Sequence, residues 1–106
     1  MAIEAGTRVV AGTDAGGWVH GNNAQEISCL VEAGMTPGQA IVAATGDAAR
    51  CLGLDADLGT NEAGKRADLV LVEGDPLADV TILEKGRSVR LVMKDGEVFL
   101  DRLTAA

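Results

Sequence analysis

Asp14 is the residue of this sequence whose type and position best suit chemistry. It follows the apolar run 8–13 and lies between Gly12 and Gly16. A carboxylate at the carboxyl end of a buried strand is where α/β enzymes place catalytic groups. Such a group can bind a divalent metal and accept a proton from metal-bound water. The segment is also compatible with a turn in which Asp14 accepts hydrogen bonds from local amides.

His20, the single histidine, follows Asp14 by six residues in a glycine-rich loop. Both side chains can therefore face one cleft, although a solvated loop histidine is the alternative. A complete zinc site needs at least three protein ligands, and Glu26 is the nearest candidate for the third. The spacing of the three residues matches no metal motif, and helix capping is the better explanation for Glu26. A metal centre contained within this chain is therefore disfavoured.

Other catalytic patterns find no match in the sequence. Ser28 and Ser88 lack the Gly-x-Ser-x-Gly arrangement of a nucleophile elbow. The segment 59–65 resembles a phosphate-binding loop, but it lacks the Gly-Lys-Ser/Thr ending and precedes a predicted strand. Cys29 and Cys51 have no CxxC spacing, and their helical positions predict buried, reduced thiols.

The elements that would position Asp14 are a strand, a loop and a helix. Residues 8–13 are the predicted strand, and their inner part 9–12 carries no polar side chain, as in a parallel strand covered on both faces. After the loop, Asn23 is a candidate N-cap with Glu26 three residues later, which predicts a capping box. Gly34 supplies the left-handed stop of this helix.

A second helix is strongly marked at both ends. Thr36 is the predicted N-cap, Pro37 takes the first helical position, Gln39 completes a capping box and Gly53 ends the helix. Gly46 interrupts its interior and indicates close packing against another backbone. The predicted buried stripe consists of Ala40, Ile41, Ala44, Ala48, Cys51 and Leu52.

The sequence after Leu54 predicts a β-rich tail, in which Asp95-Gly96 forms a two-residue type I′ turn between two strands. The predicted elements are a strand at 67–72, a turn at 74–76, a short helical turn within 78–84, and strands at 89–94 and 97–100. The expected fold class is therefore mixed α/β.

Composition limits the classes of partner. The chain has 106 residues and a net charge of −7, which fits one domain and argues against nucleic acid and anionic membrane surfaces. No apolar run approaches the roughly 20 residues of a membrane span, and the first residues do not resemble a signal peptide. Together with the reduced cysteines, these features predict a cytoplasmic protein.

In their order and spacing, these segments resemble the carboxyl-terminal part of the metal-dependent amidohydrolase superfamily, in the branch with imidazolonepropionase-like and prolidase-like members. Asn61 is a small departure, because the family more often has an aliphatic residue there. The resemblance spans roughly residues 5–100. Its main motifs are Gly12-Thr13-Asp14-Ala15-Gly16, Glu32-Ala33-Gly34-Met35-Thr36-Pro37, Gly64-Lys65-Arg66-Ala67-Asp68-Leu69-Val70, Gly74-Asp75-Pro76-Leu77 and Val92-Met93-Lys94-Asp95-Gly96.

The resemblance implies the last strand–helix unit of a (β/α)₈ barrel and a second helix in residues 1–56. It implies part of a composite β-sandwich in residues 57–106. It makes Asp14 a metal ligand that carries a proton from bound water to the leaving amine, and it places His20 near the substrate. The implied cofactor is a divalent metal, zinc by expectation, and the implied substrate is a small amide, cyclic amide or dipeptide.

The family's His-x-His pair, its bridging lysine or glutamate and two further histidines have no counterpart here. We therefore expect part of a C–N hydrolase that is inactive, and binds no metal tightly, without the rest of the barrel. The expected partner is that missing portion or a second copy of the chain. The alternative is a non-catalytic module that uses the unpaired edge of residues 8–13 for self-association or protein binding.

Overall fold

A computed structural model of the protein describes residues 8–12, 23–84 and 88–103. The mixed α/β class is confirmed, with helices in the first half and an antiparallel sheet in the second. The helices and strands are α1 (Gln25–Glu32), α2 (Pro37–Ala44), α3 (Gly46–Leu52), β1 (Leu69–Val72), a 3₁₀ helix (Val80–Glu84), β2 (Val89–Lys94) and β3 (Glu97–Asp101).

The start of α2 confirms the predicted capping box. The Gln39 amide donates to Thr36 Oγ1 at 3.1 Å, and the Thr36 amide donates to Gln39 Oε1 at 2.9 Å. Pro37 occupies the first turn, where its missing N–H removes no helical hydrogen bond. This reciprocal cap fixes the point at which the chain enters the helical layer.

The start of α1 differs from the prediction. The N-cap is Ala24, whose backbone is already helical, and no side chain caps the helix. The Glu26 amide instead donates to the backbone oxygen of Asn23 at 3.1 Å. A backbone turn therefore takes the place of the capping box predicted from Asn23 and Glu26. The predicted stop at Gly34 is confirmed by its φ of 125°.

The helix predicted to run from Thr36 to Gly53 is divided at Thr45. Thr45 has φ −122° and ψ −91°, outside the helical region, and its hydroxyl donates to the Ile41 oxygen at 2.8 Å. The division lets Gly46 approach the loop that carries Gly59. A Cβ built on Gly59 would lie 2.5 Å from Ala49 Cβ and 3.4 Å from Gly46 Cα. A Cβ on Gly46 itself would lie 3.5 Å from Thr60 Cγ2 and 3.9 Å from the Gly59 oxygen, which is ordinary contact, so the position that excludes a side chain is Gly59.

The buried core of the helical half is small. Leu30 of α1 packs with Ala40 and Ala43 of α2, and Val9 and Ala11 contact the edge of this cluster. Fully buried alanines allow close helix packing, but each removes little apolar area from water. The buried apolar residues in the described part of the chain are Leu30, Ala40, Ala43, Ala49 and Val80.

The predicted buried stripe is correct for Ala40 and wrong for its last members. Leu52 is 72% exposed, and Cys51 is also exposed. The division at Thr45 changes which face of the chain turns inward, so Ala43 and Ala49 are buried instead. The far end of α3 consequently carries a large apolar side chain in contact with solvent.

Both cysteines contradict the prediction that they are buried. Cys29 and Cys51 are free thiols, and both are exposed. Cys29 directly precedes the buried Leu30 on α1 and so turns away from the contact with α2. Cys51 lies on the uncovered part of α3. Helical spacing alone does not show which face of a helix is covered by the rest of the described residues and which is exposed.

Residues 8–12, the described part of the predicted strand 8–13, do not form a strand. The Ala11 amide donates to the backbone oxygen of Ala43 at 3.1 Å, so this segment is anchored on α2. A strand is defined by a hydrogen-bonded neighbour, and none of the described strands lies beside this segment. The strand prediction is therefore wrong for residues 8–12.

The sheet has the order β1-β2-β3, and both pairs of neighbours are antiparallel. Asp95 and Gly96 have φ values of 49° and 79°, as a type I′ turn requires, and Lys94 pairs with Glu97 across it. This confirms the predicted hairpin. The turn at Asp75 is also present, because the Asp75 carboxylate accepts the Leu77 amide at 2.9 Å.

The segment before β1 binds the tip of this hairpin. Asp68 Oδ1 accepts the Asp95 amide at 2.7 Å, and the Ala67 oxygen accepts the Gly96 amide at 3.0 Å. Two separated segments of the tail thus satisfy each other's backbone hydrogen-bonding groups.

A hydrogen bond joins the helical half of the chain to its second half. The Ser28 hydroxyl of α1 donates to Glu84 Oε2 at 2.7 Å.

We predict that Gly59→Ala destabilises the protein. Its φ of 103° is a conformation that L side chains rarely adopt, and the added methyl group would overlap Ala49. Backbone strain and overpacking together should lower the free energy of unfolding by about 2–4 kcal/mol, measured by urea denaturation. Gly64→Ala is the control, because φ is 90° there and nothing lies within 4 Å. Equal losses in both variants would contradict the packing argument.

We also predict that Asp68→Ala loosens the hairpin. Removing the carboxylate leaves the Asp95 amide without its partner, which should cost about 1 kcal/mol at this exposed position. The measurement is amide hydrogen exchange at Asp95, together with the midpoint of thermal unfolding. Asp55→Ala is the matched control, since Asp55 is an exposed carboxylate in another turn. Unchanged exchange at Asp95 would show that the bond has no stabilising effect.

Candidate functional site

The two residues predicted to act in chemistry, Asp14 and His20, lie outside the described residues. The structure describes the chain on either side of them, up to Gly12 before Asp14 and from Asn23 after His20. The geometry of the site is therefore given by these flanking segments.

The flanking segments meet at one cavity. A cavity of about 370 Å³ is lined by Ala11 and Gly12 on one side and by the start of α1 on the other. The chain leaves the cavity two residues before Asp14 and returns to it three residues after His20. The remaining lining residues are Asn23, Ala24, Glu26, Ile27 and Ala44. The described residues before Asp14 and after His20 thus line the same concave surface.

Glu26 and Asn23 bring polar groups to this cavity, although their positions in the sequence predicted a role in helix capping for both. In the structure no side chain caps α1, so the Glu26 side chain is not used in that role. Its carboxylate is partly buried in the first turn of α1, where negative charge is favourable. The sequence signal that could have placed these two residues at the site is their position directly after the glycine-rich segment.

Gly12 leaves space at the mouth of the cavity. A Cβ at this position would meet no described residue within 4 Å. The Ala11–Ala43 hydrogen bond one residue earlier holds this end of the loop on α2. The structure therefore fixes the position of Ala11, the residue before Gly12, on α2.

Among the residues that the structure describes, no group of three or more His, Cys, Asp and Glu side chains could hold a metal ion. A divalent metal needs at least three protein ligands in a typical catalytic site. The described part of the chain thus does not form a metal site by itself. In the same residues, no helix is long and apolar enough to cross a bilayer.

Comparison with known sequences gives a family match along nearly the whole chain. A sequence profile of the amidohydrolase family matches residues 1–99. Ochratoxinase from Aspergillus niger is 38% identical over 100 residues, which cover 92% of this chain and 20% of the relative. A 5-methylthioadenosine/S-adenosylhomocysteine deaminase from Moorella thermoacetica is 33% identical over 121 residues, covering 94% of this chain and 28% of the relative.

Solved structures agree with this match. A Xaa-Pro dipeptidase with bound methionine in its active site has a TM-score of 0.87 and 41% identity, covering 93% of this chain and 24% of the dipeptidase. A prolidase-like protein from Bifidobacterium longum has a TM-score of 0.84 and 38% identity, covering 92% of this chain and 24% of that protein. This chain therefore spans about a fifth to a quarter of the length of these relatives, and it belongs to the amidohydrolase family.

Proposed function

We propose that this chain forms the carboxyl-terminal part of a metal-dependent hydrolase of C–N bonds and acts together with a complementary portion that supplies the rest of a barrel. The observation that carries the proposal is the 41% identity and TM-score of 0.87 with a dipeptidase of which the chain matches only 24%. The chemistry of such an enzyme needs ligands that these 106 residues do not all contain.

The packing supports a complementary portion. Most large apolar side chains of the described residues are partly or largely exposed, and only five apolar residues are buried. The exposed ones include Leu52 on α3, Leu71 on β1 and Phe99 on β3. Exposed large apolar side chains in this number favour a further protein layer that covers them. A complementary barrel portion would supply that layer.

Asp14 is the residue of this chain that we assign to catalysis and metal binding. The described segments on either side of it line the cavity beside Gly12, which supports a site at this place. His20 belongs to the same loop and is assigned to the substrate side. The metal, with zinc the expected species, would be held jointly by Asp14 and by ligands from the complementary portion.

The relatives favour a small substrate with a C–N bond. One similar structure is a dipeptidase that acts on Xaa-Pro peptides, and another relative is a deaminase of 5-methylthioadenosine and S-adenosylhomocysteine. Both reactions remove a nitrogen leaving group from carbon. We therefore assign this chain to a small amide, cyclic amide or dipeptide substrate.

A chimera tests this proposal. In the similar Xaa-Pro dipeptidase, the matching carboxyl-terminal quarter is replaced by this chain, and hydrolysis of a Xaa-Pro dipeptide is measured with zinc present. We expect a folded, active chimera. Asp14→Asn should lower kcat at least about 100-fold, since a positioned acid–base group contributes roughly that much or more.

Asp55→Asn in the same chimera is the matched control, because it also removes one carboxylate and lies in an exposed turn. It should leave kcat unchanged within about twofold. A folded chimera without activity would contradict the proposed function. Full activity of the Asp14→Asn chimera would contradict the role of Asp14.

Self-association of the chain alone is the second candidate, and the exposed apolar residues of the sheet favour it. Val70 is 55% exposed, Val98 is 47% exposed and Phe99 is 64% exposed. Without a covering layer, these side chains would be buried between copies of the chain. In that case the chain is an oligomerisation module and has no hydrolase partner.

We predict that Phe99→Ser weakens such self-association without unfolding the protein. The Phe99 ring is mostly in contact with solvent, so its loss removes contact area between copies while disturbing little internal packing. The dissociation constant measured by sedimentation should rise about tenfold, as expected for losing a side chain near 1.4 kcal/mol. Glu97→Ser, at the start of the same strand, is the control. A monomer in the unmodified protein at high concentration would reject the second candidate.

A further inference from the structure

A second cavity lies where residues 8–10 approach α3. It has a volume of about 470 Å³ and is lined by Arg8, Val10, Asp47, Arg50 and Cys51. The cavity beside Gly12 shares none of these residues. This site is therefore separate from the one assigned to catalysis.

The second cavity is positively charged in a chain that is otherwise acidic. The chain has 16 Asp and Glu residues against 9 Lys and Arg residues. The described residues that line the cavity contribute two guanidinium groups and one carboxylate, a net charge of +1. A concave surface focuses that charge and attracts ions of opposite sign.

The two arginines differ in their partners. Arg50 donates through Nη1 to Asp47 Oδ1, which uses one of the five N–H donors of its guanidinium. Arg8 is exposed and forms no ion pair with a described residue. Its planar set of donors and the remaining donors of Arg50 line the same cavity.

We propose that this cavity binds a small oxyanion, either phosphate or a carboxylate, between the guanidinium groups of Arg8 and Arg50. Guanidinium groups present paired donors that match two oxygens of a phosphate or carboxylate. Val10 supplies an apolar wall, and the Cys51 thiol lies at the same surface. The ion pair with Asp47 orients the Arg50 guanidinium.

Cys51 provides a reporter for this site. Iodoacetate and iodoacetamide alkylate thiols in the same way and have similar size, but iodoacetate is an anion and iodoacetamide is neutral. The ratio of the two alkylation rates at Cys51, followed by peptide mass spectrometry, measures how strongly the cavity attracts an anion. The chain is used as it is, in dilute solution.

Arg8→Gln should lower this ratio about threefold to fivefold, the effect of removing one nearby charge at a hydrated surface. Arg66→Gln is the matched control, because it also removes one guanidinium charge. Arg66 lies at the hairpin, 4.0 Å from Asp95, and not at this cavity. This variant should leave the ratio unchanged. Equal effects of the two variants would show that the ratio depends only on the net charge of the chain, and they would overturn the proposal.

A second experiment measures how competing ions change the rate of alkylation at Cys51. Phosphate or acetate should slow iodoacetamide at Cys51 more than chloride does at equal ionic strength, and Arg8→Gln should abolish the difference. A stronger effect of phosphate assigns the site to phosphate, and a stronger effect of acetate assigns it to carboxylates. Equal protection by all three salts would overturn the proposal. Cys29 is outside the cavity, so its rate in the same sample reports any global change in structure.

Discussion

The structure depends on close contact between small residues. Leu30 packs on Ala40 and Ala43, and Gly59 approaches Gly46 and Ala49 at distances that leave no room for a methyl group. Such contacts let the backbones come near each other, but they remove little apolar area from water. The positions of α1, α2 and α3 are thus well specified by shape, while much of the hydrophobic driving force of this sequence is not satisfied within the described residues.

The difference between contacts made by neighbouring residues and contacts made across the fold explains which elements the sequence could predict. The Thr36 capping box and the Asp95-Gly96 turn depend on a few neighbouring residues, and both were found as predicted. The strand at residues 8–12 and the buried thiol of Cys51 depend on neighbours elsewhere in space, and both predictions were wrong. Hydrophobic pattern indicates which side chains need a covering layer. It does not say whether the same chain supplies that layer.

The candidate site shows the same division. Asp14 and His20 could be selected from residue type, glycine-rich surroundings and resemblance to a family, and they remain predictions because they lie outside the described residues. The cavity at Gly12 and Glu26 could not be predicted, since it forms only when the segment before the loop lies on α2. The capping interpretation of Glu26 failed because a backbone turn at Asn23 had already satisfied the helix start.

The sheet indicates where a covering layer would bind. Val70 and Leu71 are neighbours on β1 and point to opposite faces, yet they are 55% and 48% exposed, so both faces of the sheet are open. The outer strand β3 is less open to pairing. Its register with β2 is irregular at Phe99, and the strand begins at Glu97 and ends at Asp101.

An antiparallel copy of β3 centred on Phe99 would place Glu97 opposite Asp101, and like charges directly opposite are unfavourable. Bulges and charged ends of this kind protect a sheet edge from strand addition. The charges and the register therefore disfavour a copy added at the β3 edge, whereas the apolar side chains favour contact through the faces. A complementary portion that packs on these faces satisfies both constraints, which is why the exposed apolar surface supports the proposed enzyme more strongly than strand exchange between copies.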